Sequence, residues 1–167
     1  MDEDKRIEVL KGAMLLELKG KAFYESIAQQ AGNPDVRQIF EIMAREEGDH
    51  YKILTTTYQR LLKEGAFQAA GLDSSPSDLW KRILTDNLRS QIAAAGFEAA
   101  AISAALALED QAARFYAQSV DKSEDDSEKN LYRWLADWER THLDFLTRLD
   151  QELREHIWFD QKFWPSL

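Results

Sequence analysis

Apolar residues recur along this chain at spacings of three and four, and each run of them is interrupted near its middle by acid or histidine. Tyr132, Leu135, Glu139, His142, Leu146, Leu149 and Leu153 fall on one face of a helix. Val36, Phe40, Met43, Glu47, His50, Leu54 and Leu61 make a second such face. Ile7, Leu10 and Met14 lead into Glu17 and Tyr24, and Ile102 and Leu106 lead into Glu109, Tyr116 and Val120. Four helices are predicted, from about Asp4 to Gln30, Pro34 to Lys63, Phe97 to Val120, and from the polar turn at 121–126 to about His156. Gly32-Asn33-Pro34 separates the first two, with Asn33 placed to cap and Pro34 at the first helical position. Gly65 stops the second helix, and Ser123 is a candidate cap for the fourth. Residues 64–96 form a long connection: a loop from Gly71 to Pro76, then a short helix from Ser77 to Ser90 with Leu79, Trp80, Ile83, Leu84 and Leu88 as its stripe. Short turns make helices 1 and 2, and 3 and 4, antiparallel, while the long connection can cross the bundle. The expected fold is all-α, an antiparallel four-helix bundle in one domain spanning 1–167.

The chain also repeats itself. Shifted by 92 residues, LELKGKAFYESIA at 16–28 falls on LEDQAARFYAQSV at 108–120, and IFEIMAREEGDHYKIL at 39–54 falls on LYRWLADWERTHLDFL at 131–146. One offset matches Glu17 with Glu109, Phe23 with Phe115, Tyr24 with Tyr116, Glu47 with Glu139 and His50 with His142. Two Glu-x-x-His sequences and two Glu-x6-Tyr pairs in common register define a repeat covering 7–62 and 99–154.

The faces that carry Leu and Phe are the faces that must be buried, so four Glu and two His point inward. An unpaired carboxylate in a dry interior costs several kcal/mol even after relaxation (roughly). Lys and Arg are mostly absent from these positions, with Lys21 at the edge of its stripe. Two divalent cations would balance four carboxylates and leave the two imidazoles neutral. Residues at i and i+3 lie about 60° apart around a helix and about 4.5 Å apart along it, so one Glu-x-x-His presents both donors to one region. In this reading Glu47 and Glu139 bridge two ions, each His takes one, and Glu17 and Glu109 each complete one shell. Carboxylate with imidazole suits iron, manganese or zinc.

Composition narrows the chemistry. The 167 residues contain no Cys, which excludes disulfides, thiolate metal sites, iron–sulfur clusters and a thiol nucleophile. The formal charge of −9 argues against nucleic acid as a partner. The opening MDEDKRIEVL lacks the apolar run of a signal peptide, and no stretch has the roughly 20 apolar residues of a membrane span, so a cytoplasmic location with no membrane partner is expected.

With these residues in hand, the chain resembles the rubrerythrin branch of the ferritin-like superfamily over roughly residues 5–155. That class takes one Glu from each of two helices and Glu-x-x-His from each of the other two. Here these are Glu17, Glu109, Glu47-Gly48-Asp49-His50 and Glu139-Arg140-Thr141-His142, with Phe23-Tyr24 and Phe115-Tyr116 adding to the likeness. The resemblance implies two iron ions in the core, reaction with hydrogen peroxide or dioxygen, and a role as a peroxidase in oxidative stress. The chain departs from the family in two ways. Without Cys it has no rubredoxin domain, so an external electron donor is implied. The additional Glu that rubrerythrins often carry one turn after the third helix's ligand is replaced by Ala112, whose repeat mate is Gly20.

Gly20 and Ala112 leave room over the metals for a small ligand, or else let helices pack closely. Tyr24 and Tyr116, about 10 Å along the helix from their Glu residues, either donate hydrogen bonds to ligand carboxylates across the bundle or cap the apolar core. Trp138 stands where the repeat has Glu46 and neighbours Glu139; packing is its expected role, with carrying an electron the alternative. His156 lies near the C-terminus of helix 4, where a cation is favoured. Trp158, Phe159, Phe163 and Trp164 make the tail from Ile157 to Leu167 aromatic, which would pack on the bundle or on a second subunit; a homodimer is expected. A ferroxidase that handles iron, and a bundle stapled by metal for protein contacts, are the competing functions.

Overall fold

The structure is a computed structural model and describes residues 3–69, 71–72 and 96–160. Among these it has four helices and no strand: α1 (Glu3–Gln30), α2 (Pro34–Glu64), α3 (Phe97–Lys122) and α4 (Asp126–Asp160). α1 packs along α2 and α3 along α4, and α1 touches α3, as an antiparallel four-helix bundle requires. No helix among the described residues is long and apolar enough to cross a membrane.

The helix ends follow local chemistry. Asn33 sits in extended conformation, and its side chain accepts from the backbone N–H of Asp35 at 2.8 Å and of Val36 at 3.2 Å, with Pro34 following where no N–H is needed. α2 ends on Gly65 at φ 64, whose N–H reaches Leu61 O at 2.9 Å; a side chain is strained in that left-handed conformation. Ser123 is not the cap of α4. It closes α3 instead, with its N–H and hydroxyl both on Ser119 O, while the Asp125 carboxylate accepts from Ser127 N at 2.8 Å and Glu128 N at 3.3 Å. A carboxylate one residue before the helix reaches those two amides; a serine three residues before it does not. α3 also runs two residues past Val120, and α4 continues through Asp160, four residues past the expected end.

Two apolar clusters fill the bundle. One gathers Tyr24, Ile27, Phe40, Met43, Ile102, Leu146 and Leu149. The other gathers Leu10, Leu54, Leu61, Phe67, Tyr116, Tyr132 and Leu135. Phe67, just beyond α2, folds back onto the second. Matching rings hold matching places: Tyr24 stacks on Phe40 at 5.9 Å, and Tyr116 on Tyr132 at 6.4 Å. The α1 and α3 positions that face inward are often small, Ala13 and Gly20 on one and Ala105 and Ala112 on the other, so these two helices leave space for long side chains from α2 and α4. Arg6 of α1 reaches Glu128 of α4 at 2.5 Å and neutralises a buried acid at one end of the bundle. The expected connecting helix at 77–90 and the end of the aromatic tail lie outside the described residues, as do the side chains of His156, Trp158 and Phe159.

Replacing Asn33 by Ala removes the acceptor for two amides of the first turn of α2. The expected loss is about 1 kcal/mol of folding stability, read as a lower midpoint in denaturant or thermal unfolding.

Candidate metal centre

All six inward polar residues meet between the two apolar clusters. Glu17, Glu47, His50, Glu109, Glu139 and His142 are each no more than 3% exposed. Their donor atoms form two groups. Glu17, Glu47, His50 and Glu139 make one, and Glu47, Glu109, Glu139 and His142 make the other; within each group the donor atoms lie within 4.8 Å of one another. Glu47 and Glu139 belong to both.

The imidazoles turn the same nitrogen inward. His50 Nδ1 lies 3.2 Å from Glu17 Oε2 and 3.3 Å from Glu139 Oε1. His142 Nδ1 lies 3.4 Å from Glu47 Oε1, 3.5 Å from Glu109 Oε1 and 3.7 Å from Glu139 Oε2. Despite this crowding, Glu47 Oε1, Glu109 Oε2 and both oxygens of Glu139 accept no hydrogen bond of ordinary geometry. Among the described residues no Lys or Arg pairs with any of the four carboxylates. Lys21, at the edge of its stripe in the sequence, turns to Glu25 at 2.6 Å, with its stem against Gly48. Buried carboxylate oxygens without donors, converging beside two imidazole nitrogens, are a donor set that two cations fit once the protons leave.

Tyrosines hold two of the carboxylates from across the bundle. The Tyr24 hydroxyl of α1 donates to Glu109 Oε1 on α3, and the Tyr116 hydroxyl of α3 donates to Glu17 Oε1 on α1. Each ring is also a buried member of an apolar cluster, so both expected roles are filled by the same side chain. Burial, then the nearby carboxylates, raises both phenols well above their ordinary value, which keeps them as donors.

Gly20 corrects one expectation. A Cβ there would lie 3.2 Å from Glu47 Oε2 and 3.4 Å from its Cδ and Cγ. The space left by glycine is taken by the carboxylate of Glu47, not kept for an incoming ligand. Ala112, its repeat mate, is buried.

Without cations, protons must supply the positive charge. Burial chiefly, then Glu139 and Glu17, raises Glu47 well above the usual carboxylate range. Burial lifts Glu109 to about 8, against the pull of His142. His50 rises to about 9, because Glu17 and Glu139 together outweigh its burial. His142 is also raised, burial opposing and Glu109 leading the groups that favour the proton. Burial is the largest single influence on Glu139 too, but the two imidazoles beside it outweigh that and hold it low.

One participant has no place in the sequence pattern. Glu46 accepts from His142 Nε2 at 2.7 Å, so it contacts the ring on the side away from the cluster. Its residue type gave no hint, since an acid beside a buried Glu usually faces water. The only signal was that the repeat places Trp138 there. Trp138 itself is buried, edge-on to His50 with centroids 5.1 Å apart.

The family model for Rubrerythrin matches residues 8–150. Among solved structures, a hypothetical protein from Pyrococcus furiosus is similar, with 21% identity, a TM-score of 0.64, and coverage of 89% of this chain and 90% of that one; this likeness concerns the fold. No match was found among curated protein sequences.

Two outcomes are expected. His50 ordinarily titrates at 6.5 and here at about 9, and Glu109 at 4.5 and here at about 8. Metal-free folded protein therefore holds more protons than the unfolded chain. Its stability from these groups is full below the ordinary values and is lost as pH rises through 8 and 9. The melting temperature of chelator-treated protein should fall between pH 6.5 and 9, and divalent metal should restore it most at the alkaline end, where fewer protons compete. Gly20→Ala should leave the metal-free helix as stable or more so, since Ala gains about 0.5–1 kcal/mol over Gly in a helix. It should still weaken metal binding about tenfold by crowding Glu47, as calorimetric titration with a divalent metal would read.

Proposed function

The chain belongs to the rubrerythrin family, and from that premise we propose that it is a di-iron oxidoreductase, reducing hydrogen peroxide or dioxygen with electrons from an external donor. The observation that carries this reading is the division of one buried cluster into two four-residue groups that share Glu47 and Glu139.

In this reading Glu17 and His50 complete one position and Glu109 and His142 the other. Two ferrous ions held there would supply the two electrons that, with two protons, convert hydrogen peroxide to two waters, and the external donor would return the iron to the ferrous state. The protein's own part is to hold the donors. α2 and α4 each deliver a carboxylate and an imidazole from one turn. Tyr24 and Tyr116 fix one oxygen of Glu109 and of Glu17 and leave the other for binding. The apolar clusters on either side keep bulk water from the carboxylates and strengthen their hold on cations. These 167 residues contain no Cys, so the reading takes the electrons from outside the four-helix bundle. A homodimer is part of the proposal.

Iron uptake by the same residues is the second reading, and the net charge of −9 favours it, because an acidic surface attracts ferrous ion. Ferrous-loaded protein mixed anaerobically with peroxide, and separately with dioxygen, should oxidise faster than free ferrous ion in the same buffer, with peroxide or dioxygen consumed over repeated turnovers when a reductant is added. Oxidation no faster than free ferrous ion would remove the enzymatic reading, and more than two irons retained per chain would favour iron handling. Glu47→Ala combined with Glu139→Ala should abolish metal retention. A variant that keeps partner binding while losing metal would instead favour a bundle that serves as an interaction module.

A further inference from the structure

The two halves match at the six inward residues but not one position earlier on α2 and α4. There Glu46 faces Trp138, its repeat mate. Glu46 accepts from His142 Nε2 at 2.7 Å, and Trp138 Nε1 lies 3.4 Å from the same oxygen. The acid is therefore held by two donors and is only 13% exposed. Among the described residues His50 has no such partner. Its Nε2 is buried and makes no hydrogen bond among the described residues, and its ring stands nearly perpendicular to Trp138 at 5.1 Å and to Trp134 at 5.5 Å.

This difference acts on whatever the imidazoles bind. A ring whose Nδ1 lies toward a cation carries its proton on Nε2, and the cation draws positive charge onto that N–H. A carboxylate at 2.7 Å stabilises the charge, fixes the tautomer and makes Nδ1 the better donor. Indole rings offer far less. Glu46 also adds a negative charge to one position only. We infer that the two cation positions are unequal, that the one completed by Glu109 and His142 binds metal first and more tightly, and that Glu46 is the positioning residue responsible. This inference rests on the metal-binding reading above and adds which position is the stronger.

A stepwise binding curve alone would not test it, because two cations sharing Glu47 and Glu139 repel each other even in a symmetric site. The informative quantity is which position fills. Metal-free wild-type protein and Glu46→Gln, each given one equivalent of manganese(II) per chain and crystallised, should be compared by anomalous scattering. Glu46 lies at the rim of the core, so the substitution leaves the fold intact. In the wild type, the peak beside His142 should exceed that beside His50 about tenfold or more, the scale typical for loss of a carboxylate behind a metal-bound histidine. In Glu46→Gln the two peaks should approach equality. Equal peaks in the wild type, a stronger peak beside His50, or an unchanged preference in Glu46→Gln would overturn the inference while leaving a two-metal site standing. Manganese at neither position would instead remove the metal-binding reading, and this inference with it.

Discussion

Four carboxylates share one dry compartment, and every other feature of the molecule answers to their repulsion. At the spacings seen here each would destabilise the next if all were ionised with nothing between them. Among the described residues no lysine or arginine lies with them. The chain surrounds them with donors that bring partial positive charge, two imidazoles and two phenols, and leaves several oxygens turned toward one another without a donor. A structure of this kind is stable only with protons or cations in the middle, and cations placed there would displace the protons that the metal-free cluster holds at neutral pH.

The surrounding fold is arranged to make that compartment possible. α2 and α4 are strongly two-faced and carry the long donors; α1 and α3 are small-residued and give way to them. Gly20 shows how tight the fit is, since a single carbon there would meet the carboxylate of Glu47 at 3.2 Å. The stacked pairs Tyr24–Phe40 and Tyr116–Tyr132 close the compartment on opposite sides with the same geometry. The fold thus serves the site through steric room at α1 and α3 and through rigid rings beyond.

Much of this was legible in the sequence, because burial follows spacing. Glu139 and His142 share a stripe with Leu135 and Leu146, and no helix can bury the leucines without burying the acid and the histidine. The reciprocal tyrosine bonds were readable as a possibility from their two-turn distance to Glu17 and Glu109. What could not be read depends on the approach of one helix to another. Glu46 has the look of a solvated acid until α4 is laid beside α2 and His142 arrives against it. Lys21, at the edge of its stripe, is placed only by the structure, which turns it to Glu25 and away from the cluster. The cap of α4 fell to Asp125 because Ser123 is already engaged at the end of α3.

The tyrosines cross over. Each belongs to one half of the repeat and grips a glutamate of the other, and each four-residue group likewise draws from both halves. Neither helical hairpin can therefore complete a binding position or lock its own acid by itself. A free-standing ancestral hairpin with this sequence pattern would have met the same demands by pairing with a copy of itself, every grip made in trans. Joining two such hairpins through a long connection would make a concentration-dependent partnership permanent and leave each half free to differ from the other.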